Sequence, residues 1–178
     1  MRWHLSDRAD PPSCRIADRH YNRQKIGSPQ FVPPGRCLAL RTPDSDAVWV
    51  TSWPFAEYVR HAWPGAWINS IFRNEAPHRY LSSELIREAV SATLARWPTA
   101  PDLGMVTFVD PSKVRSKRDP GYCYLCAGFR VVGKTKGGLI ALRLAVVDMP
   151  EPDPANGVTD ELFPPSWLLL PDGQRRPA

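Results

Sequence analysis

The amino-acid sequence predicts one α/β domain with a mixed sheet and flanking helices, and three observations carry that prediction. Residues 104–109 (Gly-Met-Val-Thr-Phe-Val) form a continuous apolar run of strand length, the pattern of a strand covered on both faces. From Ser82 onward, Leu85, Ile86, Ala89, Val90, Thr93, Leu94 and Trp97 fall on one helical face. Around these two elements lie short apolar or β-branched runs separated by turn residues, a mixed order of strands and helices that packs in layers. With 178 residues, 43% of them apolar, the chain has the length of one domain and enough apolar side chains for a core.

Taken in order, residues 11–21 read as a short helix with a basic outer face. Proline suits a first turn, and Ile16, Ala17 and Tyr21 recur at helical spacing. Residues 26–35 hold too much glycine and proline for a helix or a central strand and are read as a loop. Residues 36–41 and 47–53 form a hairpin around Thr42-Pro43-Asp44-Ser45-Asp46. Residues 66–73 alternate apolar and polar side chains for part of their length, which predicts a third strand ending before Pro77. The long helix opens at Ser82-Ser83-Glu84, a serine cap before an acidic first turn, and Pro98 stops it.

The buried strand at 104–109 ends at Asp110-Pro111, and a basic connection follows. Then come a short helix at 121–127 and strands at 129–132 and 139–147, expected to pair antiparallel around Lys134-Thr135-Lys136-Gly137-Gly138. From Met149 five prolines occur by Pro165 without any period. This divides the chain into one domain at 1–148 and a Pro-rich, mostly irregular tail at 149–178.

The chain has no run of about 18 apolar residues, and Met1-Arg2-Trp3-His4-Leu5-Ser6-Asp7 is polar where a signal peptide carries its apolar stretch. The expectation is a cytoplasmic protein with no membrane partner. Its four cysteines are then expected as free thiols. The formal charge of +5 and a pI near 9.2 favour contact with a polyanion, and a phosphate-bearing cofactor satisfies the same excess.

Several residues carry chemistry on their own account. A helix starting at Ser82 or Ser83 presents unpaired N–H groups and a positive dipole end that can hold a pyrophosphate, with Arg73 and Arg79 as nearby cations. Asp110 stands just past a strand end, where open α/β sheets gather ligands; it either orients an amine and accepts its proton or simply makes the Asp-Pro turn. His20 titrates near neutral pH and Tyr21 can donate a hydrogen bond, so the pair can reach a substrate from the first helix. Cys123 and Cys126 have zinc-knuckle spacing without two further ligands beside them, so packing is expected and no metal. Lys113, Arg115, Lys117 and Arg118 form either a positive rim for nucleic-acid phosphates or a solvated loop. Among seven tryptophans, those of residues 53–64 offer either a ring for stacking on a flipped base or packing for a core or lid.

The order of elements resembles the GNAT (N-acetyltransferase-like) superfamily. Tyr124-Leu125-Cys126-Ala127-Gly128-Phe129-Arg130-Val131-Val132-Gly133 is similar to its frequent ending, an aromatic on the last helix followed by Gly-Phe and a final hairpin. A narrower resemblance, spread over residues 14–133, is to the Mom DNA-modification proteins of Mu-like phages. It is carried by His20-Tyr21, by Ala76-Pro77 ahead of Ser82-Ser83, and by Val106-Thr107-Phe108-Val109-Asp110 leading to Tyr124. The chain departs from the superfamily's phosphate loop, Arg/Gln-x-x-Gly-x-Gly/Ala, and has Arg73-Asn74-Glu75-Ala76-Pro77-His78-Arg79-Tyr80-Leu81 in its place.

The resemblance implies a GNAT-like fold, acetyl-CoA or another acyl-CoA as donor, and acyl transfer to an amine. Such transfer needs a path for the amine proton, donors for the carbonyl oxygen and an acid for the leaving thiolate. Tyr124 is implied as that acid, with Asp110, His20 and Tyr21 around the acceptor, and the Mom-like motifs imply a DNA base as acceptor. Two other readings stay open on sequence alone: an N-acetyltransferase of a small or protein amine, and a non-catalytic nucleic-acid-binding module.

Overall fold

The computed structural model describes residues 1–55, 59, 61–114 and 119–157. Its elements are β1 (His4–Ser6), α1 (Pro11–Ala17), β2 (Arg36–Arg41), β3 (Ala47–Trp53), β4 (Trp67–Asn74), α2 (Ser82–Arg96), β5 (Met105–Val109), α3 (Tyr122–Cys126), β6 (Arg130–Lys134) and β7 (Ile140–Leu144). The seven strands make one mixed sheet in the order β1-β2-β3-β4-β5-β7-β6. Only β4 and β5 pair in parallel; every other neighbouring pair is antiparallel. This bears out an α/β domain with a mixed sheet.

Side-chain alternation along the strands divides the core in two. Ala47 and Trp49 of β3 join Leu85, Ile86, Ala89 and Val90 of α2 and Tyr124 of α3 in the larger cluster, while Val48 and Val50 point the other way to Ile16 and Ala17 of α1. Hence α2 and α3 cover one face of the sheet and α1 the other. The N-terminal segment adds Trp3, fully buried, whose indole N–H donates to the Leu85 carbonyl at 2.8 Å.

Three local expectations need correction. The first helix ends at Ala17, not at Tyr21, because the Asp18 carboxylate accepts from Arg23 at 2.7 Å and from the Gly27 N–H at 3.0 Å, which ties the chain into a turn. Residues 4–6, read from sequence as a polar end, form β1 by pairing His4, Leu5 and Ser6 with Arg41, Leu40 and Ala39. The serine cap of α2 is not formed. Leu81 is the N-cap residue and has no side chain to offer, and the Ser82 hydroxyl accepts instead from Asn74 Nδ2 at 3.1 Å.

The hairpin β6–β7 forms as expected, and β7 also pairs with β5, so the last strand inserts between β5 and β6. Of the Pro-rich segment, residues 149–157 are described, and they run back over the domain. Asn156 exchanges backbone bonds with Leu5 and Trp3, both at 2.8 Å, and Ser91 donates to the Glu151 carbonyl. Among the described residues no helix is long and apolar enough to cross a membrane.

Gly104, at the entry to β5, has φ +67, and a Cβ there would lie 2.1 Å from the Leu144 carbonyl oxygen. Both the conformation and the space belong to glycine, and the obstructing atom is backbone of β7. Gly104→Ala should therefore lower stability by about 3 kcal/mol or more, measured as a drop in the urea midpoint at unchanged slope.

Candidate active site at the β4–β5 gap

The site follows from where the parallel ladder stops. Trp67, Ile68 and Asn69 pair with Met105, Val106 and Thr107, and the pairing ends there although β4 continues to Asn74 and β5 to Val109. Each strand keeps its other neighbour: β4 stays on β3 up to Asn74, and β5 stays on β7 up to Val109. A bulge sets the break, since the partner of β3 jumps from Ile71 to Asn69 and leaves Ser70 out of register. A cavity of about 260 Å³ occupies the gap, bounded by Ser70, Phe72, Arg73 and Asn74 on one side and Phe108 and Val109 on the other.

Tyr124 forms the floor. Its ring is 8% exposed and packs edge-on against Phe72 and Phe129, while its hydroxyl donates to Asn69 Oδ1 at 2.5 Å. Burial pushes the phenol pKa well above its ordinary value, so the group holds its proton at neutral pH. Asn69 is itself buried. Its Nδ2 donates to the carbonyls of Val50 at 3.1 Å and Ile71 at 2.9 Å, and Oδ1 also accepts from the Thr107 hydroxyl at 3.3 Å.

The turn 20–22 closes the gap from the α1 face by bonding to both separated strands. Asn22 Nδ2 donates to the Ser70 carbonyl at 3.4 Å, His20 bonds the Phe72 carbonyl, and the Tyr21 hydroxyl accepts from the Asp110 N–H at 3.4 Å. His20 and Tyr21 stack at 4.5 Å. Desolvation, then the charge of Arg73, lowers His20 from 6.5 to about 4, so the imidazole is neutral at pH 7. With Nδ1 accepting from the Asn22 N–H at 3.1 Å, His20 is tied into the turn it sits in.

The remaining predicted residues divide between the cavity and its surroundings. Arg73 lines the cavity, with its guanidinium on Glu75 at 2.6 Å and on the Arg19 carbonyl at 2.8 Å. Arg79 lies further along the β4–α2 loop, on Asp44 at 2.5 Å and Asp46 at 3.2 Å. Ser82 reaches the site through Asn74, and half-buried Ser83 does not line it. Asp110 stands outside the lining: its Oδ1 takes both the N–H and the hydroxyl of Ser112, at 2.9 and 2.7 Å, which is the turn role, and these bonds hold its pKa down. Lys113 is exposed beside the lining residue Val114, whereas Arg115, Lys117 and Arg118 lie outside the described residues.

Cys123 lines the cavity, and burial pushes its thiol up to about 11, which leaves it an unreactive packing group. Trp53 belongs to a packed end of the sheet, 5.9 and 5.6 Å from the rings of Trp67 and Trp97, with the Arg36 guanidinium 4.7 Å above it. His61 and Trp63 pack on Phe108 at 5.0 and 5.9 Å and back the cavity wall; residues 56–58 and 60 lie outside the described residues. Among the described residues no group of three or more His, Cys, Asp or Glu could hold a metal ion.

Sequence reasoning missed Asn69, Thr107 and Asn74. A signal was present: Asn69-Ser70 breaks the alternation of an otherwise apolar strand, and asparagine is depleted in strands. An amide that enters such a strand and is buried must be bonded, which marks a bulge or a site. No family model, curated protein or solved structure matches the chain.

The titrations predict how the protein responds to acid. Because His20 is lowered from 6.5 to about 4, the unfolded chain binds its proton first, so stability falls as pH drops from 6.5 to 4. Arg19, then Arg73, hold Glu75 from 4.5 down to about 2, so that stabilisation is lost only as pH drops from 4.5 to 2. In urea unfolding at a series of pH values, His20→Gln should flatten the first window and leave the second. A wild-type stability that is flat between pH 6.5 and 4.5 would contradict the burial of His20.

Proposed function

We propose that the chain is a GNAT-like acyltransferase that takes its acyl group from a coenzyme A thioester and delivers it to an amino group on a DNA base. The observation that carries this reading is the open β4–β5 gap with the protonated Tyr124 hydroxyl at its floor. Strand edges that stop pairing present backbone N–H and C=O groups, and those that the turn 20–22 does not take can pair with an extended amide-bearing arm such as that of a CoA thioester. The first turn of α2 lies one side chain from the cavity, through Asn74 and Ser82, and its dipole suits a pyrophosphate.

In this reading the acceptor nitrogen attacks the thioester carbonyl carbon, the C–S bond breaks, and the departing thiolate takes the proton of Tyr124. The attacking amine loses its own proton to water, and the phenolate regains one from solvent, so an amide and a free thiol are the products. Tyr124 is in its proton-bearing form at neutral pH, the form the acid role requires, and the thiolate formed beside it has to offset the cost of making a buried phenolate.

The charge pattern bears on the acceptor. Among the described residues lining the cavity there is no carboxylate, the one charged side chain is Arg73, and His20 is neutral. Such a lining disfavours a cationic lysine or small-molecule ammonium and suits an amine that is uncharged at neutral pH, as on a nucleobase. Lys113 at the rim continues in sequence into Arg115, Lys117 and Arg118, which supplies charge for backbone phosphates.

Calorimetry with acetyl-CoA tests the donor; wild-type protein with no measurable binding ends the acyltransferase reading. Tyr124→Phe should bind acetyl-CoA as wild type does and lose turnover by about 10²-fold, while Tyr122→Phe, at an exposed position on the same helix, should retain it. For the acceptor, changing Lys113, Arg115, Lys117 and Arg118 together to alanine should flatten the salt dependence of duplex binding. Acetyl-CoA binding without any DNA affinity at low salt would leave the donor half standing and remove the DNA half.

A further inference from the structure

We propose that Asn69 is a positioning residue for Tyr124: the bulge in β4 clamps its amide so that Oδ1 faces the phenol and aims the Tyr124 proton across the floor of the gap. Three observations converge on this. First, the amide cannot turn over. Both Nδ2 hydrogens are taken by backbone carbonyls, Val50 on β3 and Ile71 two residues along β4, and a flip would set an oxygen against two oxygens. Secondly, those two carbonyls converge on one side chain because of the bulge, where the partner of β3 skips Ser70. Thirdly, Oδ1 accepts from the Tyr124 hydroxyl at 2.5 Å, while the single Thr107 hydroxyl proton is shared between Oδ1 and the Asn69 backbone carbonyl, both at 3.3 Å.

Burial makes the arrangement demanding. Asn69 is 4% exposed and Thr107 3%, so each unmade bond would carry the cost of a desolvated polar group. Asn69 and Thr107 are also the last paired residues of the parallel ladder, so the clamp sits at the point where β4 and β5 part. An amide oxygen is a neutral acceptor. It orients the O–H without drawing the proton away, and a thiolate arriving in the gap is the stronger acceptor and can take it. Asn69 lines the cavity, and in this scheme it acts through Tyr124 and not on the reacting atoms.

The test has one arm that does not depend on the acyltransferase reading and one that rests on it. In the full chain carrying labelled tyrosine, the Tyr124 hydroxyl proton should give a slowly exchanging resonance that disappears in Tyr124→Phe. Asn69→Ala should lose that resonance to exchange or move it upfield. Asn69→Ser, whose shorter side chain can still donate to one of the two carbonyls but does not reach the phenol, should do the same. Loss or upfield movement in both variants supports the clamp, and a resonance unmoved in both overturns it. Should Asn69→Ala fail to fold, Asn69→Ser decides alone.

In the second arm, with acetyl-CoA as donor, Asn69→Ala should lower kcat by about tenfold or more with the KM for the thioester within about twofold of wild type. Ser91→Ala, which removes a buried hydroxyl bonded to the Glu151 carbonyl away from the gap, should stay near wild type in both. Equal losses of kcat in Asn69→Ala and Ser91→Ala, with KM rising in both, would indicate a general loss of packing and overturn the positioning role. A wild type that binds no acetyl-CoA defeats the acyl-transfer reading and leaves the resonance arm to decide on Asn69.

Discussion

The β4–β5 ladder stops at Asn69 and Thr107, and most of what distinguishes this domain depends on that stop. A sheet normally closes such a gap, because two strands running side by side gain a hydrogen bond for nearly every backbone group they align. Here each strand is held by its outer neighbour instead: β3 keeps β4 in place to Asn74, and β7 keeps β5 to Val109. The sheet can therefore open along one line without coming apart. Pro111, just past β5, cannot donate to a ladder and so removes any means of resuming it.

Opening a sheet exposes backbone groups that must find partners, and the molecule supplies them from both faces. On the α1 face, Asn22 and His20 take the carbonyls of Ser70 and Phe72, and Tyr21 takes the N–H of Asp110. On the other face, Tyr124 enters from α3 and meets Asn69. The result is a pocket whose titratable groups are uncharged by burial, His20 by a lowered pKa and Tyr124 and Cys123 by raised ones. Arg73 carries the one charge among the described lining residues, and Glu75 balances it from outside. A pocket of this kind binds through directed hydrogen bonds more than through net attraction.

The sequence made the strands and the long helix legible because each is periodic or bounded by proline and glycine. It also singled out His20, Tyr21, Arg73 and Tyr124, which the fold brings to one cavity. Hydropathy could not show that the buried partner of Tyr124 is an amide inside a strand, since Asn69 reads locally as a surface residue; its burial arises from the bulge, which is a property of the β3–β4 pair. Strand β1 was invisible for a related reason. Three residues have no period of their own, and pairing with β2 and with Asn156 near the other end of the described chain defines them.

The loop between β4 and α2 takes its shape from a side chain where a glycine-rich loop would take it from bare backbone. A glycine-rich loop lets backbone approach a pyrophosphate closely by removing side chains. Here Asn74 shapes the loop from within: Nδ2 donates to the Tyr80 carbonyl at 2.8 Å and to the Ser82 hydroxyl, and Oδ1 accepts from the Ala76 N–H at 3.0 Å. That fixes where α2 begins and leaves its first N–H groups outside the helical ladder, since Leu81 offers no side-chain cap. The two nearby cations are already on carboxylates, Arg73 on Glu75 and Arg79 on Asp44 and Asp46. Arg79 and Asp44 are exposed, and a pair of that kind contributes little on its own, whereas half-buried Glu75, shared by Arg73 and Arg19, fixes the far end of the loop.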